Sequence, residues 1–187
     1  MIDPSLKRIL GQMTYGVAVV ACSADGVTRG FTSTWVMQAS FDEPVVIVSS
    51  SPRHDTYALI AEQRWFTVSI LAGDQIEEGQ YFSYPGRRFK HLGDYFEFFD
   101  GAPAVKNAIS WFRCDLEDEL EMLDHRLLVG RVTAVGEGRL KEPGLTYSSR
   151  KGWKIADAPA RQPGESVRDR LLERLEAHEQ ATEGRAE

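Results

Sequence analysis

The chain has 187 residues, a formal net charge of −6 and 42% apolar side chains. That length suits one domain of ordinary size, or one domain plus a tail, and is enough to bury a sizeable core. The acidic balance, with no Lys/Arg-rich run, argues against a nucleic-acid partner. No apolar run reaches membrane-spanning length and no basic-then-apolar leader opens the sequence, so a soluble cytoplasmic protein with no membrane partner is the expectation.

Asp3-Pro4 supplies a capping acid followed by proline at the first helical position, and Leu6, Ile9, Leu10 and Met13 repeat at helical spacing, so a helix with one apolar face is expected to run to Gly16. Gly16–Cys22 (GVAVVAC) is short and β-branched and reads as a buried strand. Ala24-Asp25-Gly26 turns the chain, and Val27–Met37 is the returning strand. After Pro44, Val45–Ser50 is a third strand, His54–Gln63 a helix, Phe66–Leu71 a fourth strand and Gly73–Tyr84 a short helix. Pro85–Asn107, rich in Gly, Pro and aromatics, reads mainly as loop.

Ile109–Leu123 and Leu127–Leu140 are two long strands joined at an Asp124-His125-Arg126 corner. Period two puts Phe112, Cys114 and Leu116 on one face with Trp111 and Arg113 on the other, and aligns Leu128, Gly130, Val132 and Ala134 on the second strand. Leu145–Ile155 is a last strand. The predicted division is a domain over residues 1–156, then a linker and helical tail over 157–187, where Pro and Gly precede a charged helix with Val167, Leu171 and Leu175 as a thin apolar stripe. Strands joined mostly by short turns, with two short inserted helices, predict a mainly β antiparallel barrel with helices over its openings rather than a doubly wound sheet. Cys22 and Cys114 lie among alternating apolar residues and read first as reduced core thiols, with a disulfide or redox role the lesser alternative.

Four segments carry candidate chemistry. Gly30-Phe31-Thr32-Ser33-Thr34-Trp35 lines up three hydroxyls at a strand end, suited to anion contacts, although alone it reads as a Thr-rich strand. Ser49-Ser50-Ser51-Pro52-Arg53-His54-Asp55-Thr56 runs from a strand through hydroxyls and cations into a helix start, where free N–H groups attract phosphate; an ordinary loop with Asp55 or Thr56 as the helix cap is the equal alternative. Arg87-Arg88-Phe89-Lys90-His91 is a basic cluster that would neutralise a phosphate or simply solvate a loop. Asp124-His125 offers a group that titrates near neutrality, or a plain surface histidine. CxxC and Cys/His metal spacings, GxGxxG, Walker and GxSxG sequences are all absent, which speaks against a metal site, a Rossmann unit and a hydrolase nucleophile.

In order and spacing, these segments resemble the flavin reductase-like family of FMN-binding split barrels. The resemblance runs from about Leu10 to Trp153: the opening strand and hairpin, the hydroxyl segment, the Ser40-to-Pro44 turn, the strand into a Thr56-bearing helix, RWFTVSIL, Phe82 with Arg88-Phe89, and DHRLLVGRVTAV. It implies an antiparallel FMN-binding split barrel, FMN or in some members FAD as the flavin, NADH or NADPH as co-substrate, a homodimer, and reduced flavin handed to a partner monooxygenase or redox protein. A flavoprotein electron carrier with fixed FMN and a non-enzymatic flavin-binding module are the competing readings. By the same resemblance, Thr32, Ser33, Thr34 and Trp35 lie along the flavin. Ser49, Ser50, Ser51, His54 and Thr56 surround the ribityl chain and phosphate, Arg87 and Arg88 face the phosphate, and His125 is the catalytic residue beside the nicotinamide. The chain departs from the family pattern at His54, where serine is common, at Ser69, where asparagine is frequent, at Leu123, where glycine is frequent, and at Trp35, which is bulkier than usual.

Overall fold

A computed structural model describes residues 3–83 and 95–155. The basic cluster with Arg87 and Arg88, and the expected linker and C-terminal helix, lie outside the described residues. Three helices, α1 (Pro4–Leu10), α2 (Asp55–Gln63) and α3 (Ile76–Tyr81), accompany twelve strands. These are β1 (Tyr15–Gly16), β2 (Ala18–Ala24), β3 (Val27–Ser33), β4 (Val36–Gln38), β5 (Val45–Ser50), β6 (Trp65–Ile70), β7 (Phe96–Phe99), β8 (Ala102–Val105), β9 (Ser110–Met122), β10 (His125–Glu137), β11 (Leu145–Ser148) and β12 (Gly152–Ile155). Among the described residues, no helix is long and apolar enough to cross a membrane.

Seven strands form one antiparallel sheet in the order β3-β2-β6-β9-β10-β5-β4. Its two edge strands, β3 and β4, are consecutive in the chain and separated only by Thr34 and Trp35. A flat sheet of seven strands would hold its edges about 29 Å apart, whereas Ser33 to Val36 spans at most about 11 Å. The sheet therefore has to curl until its edges meet, which makes it a split barrel with its seam at Thr34-Trp35. This is the mainly β antiparallel architecture that the strand-rich order predicts. A three-stranded sheet, β1-β11-β12, and the β7-β8 hairpin complete the fold.

The apolar run at β2 is buried on both faces. Ala18, Val20 and Cys22 enter the barrel core with Phe31, Val48, Phe66, Val68, Cys114, Leu116 and Leu128, which α2 covers through Ile60. Val17, Val19 and Ala21 enter a second core with Leu71, Phe82, Phe96, Val105 and Leu145. Period-two geometry applied to a continuous apolar run forces such a two-sided packing. The second core is pinned by polar side chains of β6. Thr67 Oγ1 donates to Pro103 O at 2.6 Å, and Ser69 Oγ accepts from Val105 N at 2.9 Å. Ser69 thus holds β8 in place.

Several sequence expectations change. The first helix stops at Leu10, with Gly11 N donating to Lys7 O, because the chain from Tyr15 is drawn into pairing with β11. Its apolar residues Leu6, Ile9, Leu10 and Met13 are exposed rather than packed. The Val27–Met37 strand divides at the barrel seam, and the last strand folds into the β11-β12 hairpin. Within the expected loop Pro85–Asn107, residues 96–105 form a hairpin turning at Asp100-Gly101, both at positive φ; Pro103 masked a strand that pairs on one side only. The β9-β10 turn is Leu123-Asp124, with Leu123 at φ 55°, so His125 and Arg126 already belong to β10. Register shifts in β10 leave Ala134 exposed and off the face of Leu128 and Gly130.

Cys22 and Cys114 are free and fully buried, and burial pushes both thiols up to about 12. Native protein should therefore leave a disulfide-exchange reagent at neutral pH unreacted and release two equivalents only on denaturation. Gly130 permits a close approach, since a Cβ there would come within 2.6 Å of the Phe66 ring and 2.7 Å of Cys114 Cβ. Gly130→Ala should cost about 1–3 kcal/mol in urea denaturation, as overpacking in a closed core does.

Candidate functional site at the barrel seam

Strand register assembles the site before any side chain is considered. Ser49 pairs with Leu127 and Ser50 with Arg126, so the end of β5 runs past His125 at the start of β10. On the other side of β5, Ser49 N donates to Trp35 O at 3.0 Å, which carries the β4-β5 ladder into the seam. The hydroxyl strand, the strand-to-helix turn and the Asp-His strand start, far apart in sequence, thus meet at one rim.

The seam is shaped by its own hydroxyls. Ser33 is buried, and its Oγ accepts from Trp35 N at 3.2 Å, which fixes the crossing between the sheet edges. Thr32 faces the other way: its hydroxyl donates to Gly79 O at 2.7 Å and its N–H to Phe82 O at 2.9 Å, so its side chain anchors α3. Thr34 is half-buried, while Trp35 is 50% exposed, with its ring 5.2 Å from the His125 ring at a 58° tilt.

In the strand-to-helix turn, alternation along β5 sends Ser50 inward and leaves Ser49 half-buried. Ser50 Oγ is fully enclosed with no hydrogen-bond partner among the described residues, an uncommon state for a buried hydroxyl. Ser51 O accepts from His54 N at 3.0 Å. His54, rather than Asp55 or Thr56, occupies the N-cap position of α2, and its side chain makes no capping bond. The first N–H groups of α2 thus lack the side-chain acceptor that normally closes a helix start. Thr56 is buried at the first turn. The His54 ring stacks on Phe31 at 4.8 Å and 16°. Burial, then the neighbouring His125, hold His54 below the ordinary histidine range, against the pull of Asp55.

His125 Nδ1 lies 3.0 Å from Asp124 Oδ1. The hydrogen bond to His125 holds the Asp124 carboxyl below its usual range. An ionised carboxylate only accepts, so Nδ1 carries the proton and Nε2 of the neutral ring is the free acceptor, a tautomer assigned from this network.

The structure therefore brings together Ser33, Thr34, Trp35, Ser49, Ser50, Ser51, His54, Thr56 and His125, and turns the Thr32 side chain toward α3. Sequence reasoning missed Phe31 as the platform under His54, although its inward position follows from strand alternation with buried Ser33. The charge of Arg53, one of the cations expected in this turn, acts on Asp124 at the rim.

Relatives can now be set beside this geometry. The family model described as "Flavin reductase like domain" matches residues 10–154. The "Probable flavin reductase" of Rhizobium meliloti (strain 1021) is 29% identical over 150 residues, covering 79% of this chain but only 48% of that protein; the chain spans about half the length of this relative. The reductase component of 4-nitrophenol 4-monooxygenase/4-nitrocatechol 2-monooxygenase from Rhodococcus opacus is 29% identical over 133 residues, 71% of each chain. Among solved structures, "Flavin reductase PheA2 in native state" superposes with a TM-score of 0.73 at 26% identity, covering 84% of this chain and 100% of that one. The match over residues 10–154, on a split barrel whose seam gathers hydroxyls and two histidines, makes this chain a member of the flavin reductase-like domain family.

Proposed function

We propose that this protein is an NAD(P)H-dependent flavin reductase that binds FMN, with FAD as the alternative flavin, and supplies reduced flavin to a partner oxygenase. The observation that carries this reading is the meeting of Trp35, Ser49–Ser51, His54 and the Asp124-supported His125 at one rim. The residues fit a phosphorylated flavin. The Ser50 hydroxyl is buried and unpartnered, α2 begins without a side-chain cap, and Arg53 and His54 add positive or protonatable groups in a chain of net charge −6. Ser33, Thr34 and Trp35 would line the isoalloxazine, while Thr32, whose N–H and hydroxyl are taken by Phe82 O and Gly79 O, braces the strand behind them; Ser49, Ser50, Ser51, His54 and Thr56 would hold the ribityl chain and phosphate. Arg87 and Arg88 remain assigned to the phosphate on the family resemblance. A bound flavin supplies a hydride-accepting ring, and the protein supplies binding, orientation and electrostatics.

His125 has a defined part. Asp124 accepts from Nδ1–H, which fixes the ring and leaves Nε2 to accept an N–H from a nicotinamide carboxamide or, when protonated, to donate to one of its acceptors. The exposed Trp35 ring beside it gives a planar ligand an apolar wall and shields the rim from water. The oxygenase partner is suggested by the Rhodococcus opacus relative, whose own name makes it the reductase component of a monooxygenase. A homodimer and a cytoplasmic location belong to the same proposal.

His125→Ala should lower turnover by about 10²-fold and leave the FMN dissociation constant, read by flavin fluorescence, nearly unchanged; full NAD(P)H oxidation by this variant removes His125 from the chemistry. Anaerobic stopped-flow mixing of the FMN-loaded protein with NADH or NADPH should bleach the flavin absorbance with at least one of them. Bleaching by neither overturns the reductase reading and favours an electron carrier with fixed FMN.

A further inference from the structure

His54 occupies the N-cap position of α2, and its surroundings give a histidine there a consequence. The ring lies flat on buried Phe31, which fixes its orientation at the head of α2. Its backbone N–H is used by Ser51 O, while neither ring nitrogen hydrogen-bonds to a described residue. Four residues earlier, in the same strand-to-helix turn, the buried Ser50 hydroxyl is also without a partner. Asp124 is engaged by His125, and the pull of Asp55 toward the protonated ring is outweighed by burial and by His125.

We propose that His54 makes binding of a flavin 5′-phosphate proton-linked, the imidazolium taking the phosphate and the neutral ring letting it go. This rests on the FMN reading above and goes beyond it, because an imidazole gains a charge with a proton near neutral pH, which the hydroxyls of the same turn do not. Among the described residues, the groups around the ring come from three elements and the loop before α2. β3 presents neutral Phe31, and β10 presents His125 with Asp124 beyond it. α2 presents Asp55, and the preceding loop carries Arg53, whose charge acts on Asp124. Burial and His125 outweigh Asp55, so the free protein keeps His54 neutral to lower pH than an ordinary histidine. A phosphate dianion at the ring favours the protonated form. The folded, ligand-free value is depressed and the bound value raised. Binding therefore takes up a proton between the two values, and FMN affinity falls as pH rises through that window.

The test measures dissociation constants of FMN and of riboflavin, which lacks the phosphate, by flavin fluorescence at several pH values from about 5 to about 8. Wild type, His54→Gln and His125→Ala are compared. The second ionisation of the FMN phosphate, near pH 6, acts in the opposite sense and is common to all three. Wild type should lose about tenfold in FMN affinity across the range relative to His54→Gln, the equivalent of one unit of pKa shift. Riboflavin affinity should stay flat, and His125→Ala should retain an FMN-specific slope, moved to higher pH because losing His125 relieves part of the depression of His54. Calorimetry in buffers of different ionisation heat should show proton uptake with FMN and none with riboflavin. Equal pH profiles for the two flavins, or a wild-type slope retained in His54→Gln, overturns the proposal; a slope lost only in His125→Ala assigns the linkage to His125 instead. Failure of both flavins to bind at any pH overturns the flavin reading itself, and this inference with it.

Discussion

The two-residue link between the edges of a seven-stranded sheet is the constraint on which the rest of the structure depends. Thr34 and Trp35 leave β3 and β4 no room to lie at opposite ends of an open sheet, so the sheet closes on itself. Closure creates an interior for the Phe66-centred core. It also makes the seam the one place where strand ends from both edges come together. The hydrogen bond from Trp35 N to Ser33 Oγ shows the seam residues serving the fold as well as lining the candidate site.

Burial on both faces of β2 sets the second layer of organisation. Because Val17, Val19 and Ala21 need cover outside the barrel, the β1-β11-β12 sheet, the β7-β8 hairpin and the end of α3 are packed there. Thr32 belongs to this arrangement through its bond to Gly79 O. One strand thus serves two masters: Phe31 and Ser33 face the barrel and the site, while Thr32 braces the outer layer. The rim is consequently held between elements of both layers, as a precise site requires.

Acids and bases are interleaved at the rim, where Asp55 and Asp124 lie among the cationic and protonatable groups. His54, His125 and Arg53 cluster there, and Asp124 is engaged by His125. His54 rests on an aromatic face and carries no capping bond. The result is a pair of histidines in different environments, one supported by a carboxylate and the other partly desolvated, so the two rings are suited to different tasks.

Much of this was legible in the amino-acid order itself. β-branched runs, Asp-Gly at the first hairpin and period-two alternation in β9 are local rules, and they determined the mainly β antiparallel class, the position of α2 and the buried thiols. The same local signal at Asp100-Gly101 went unread because Pro103 and the surrounding aromatics look like loop until the outer face of β6 is there to receive β8. The length of α1 and the break at the seam likewise depend on partners far away in the chain, β11 and β5. For the site, residue types were visible in sequence, but direction was not. Only the closed barrel decides that Ser50 points inward without a partner, that the Thr32 hydroxyl turns to α3, and that Phe31 lies under His54. Those outcomes follow from long-range strand register, and register is set by which faces can be buried together, a property of the assembled sheet rather than of any local stretch.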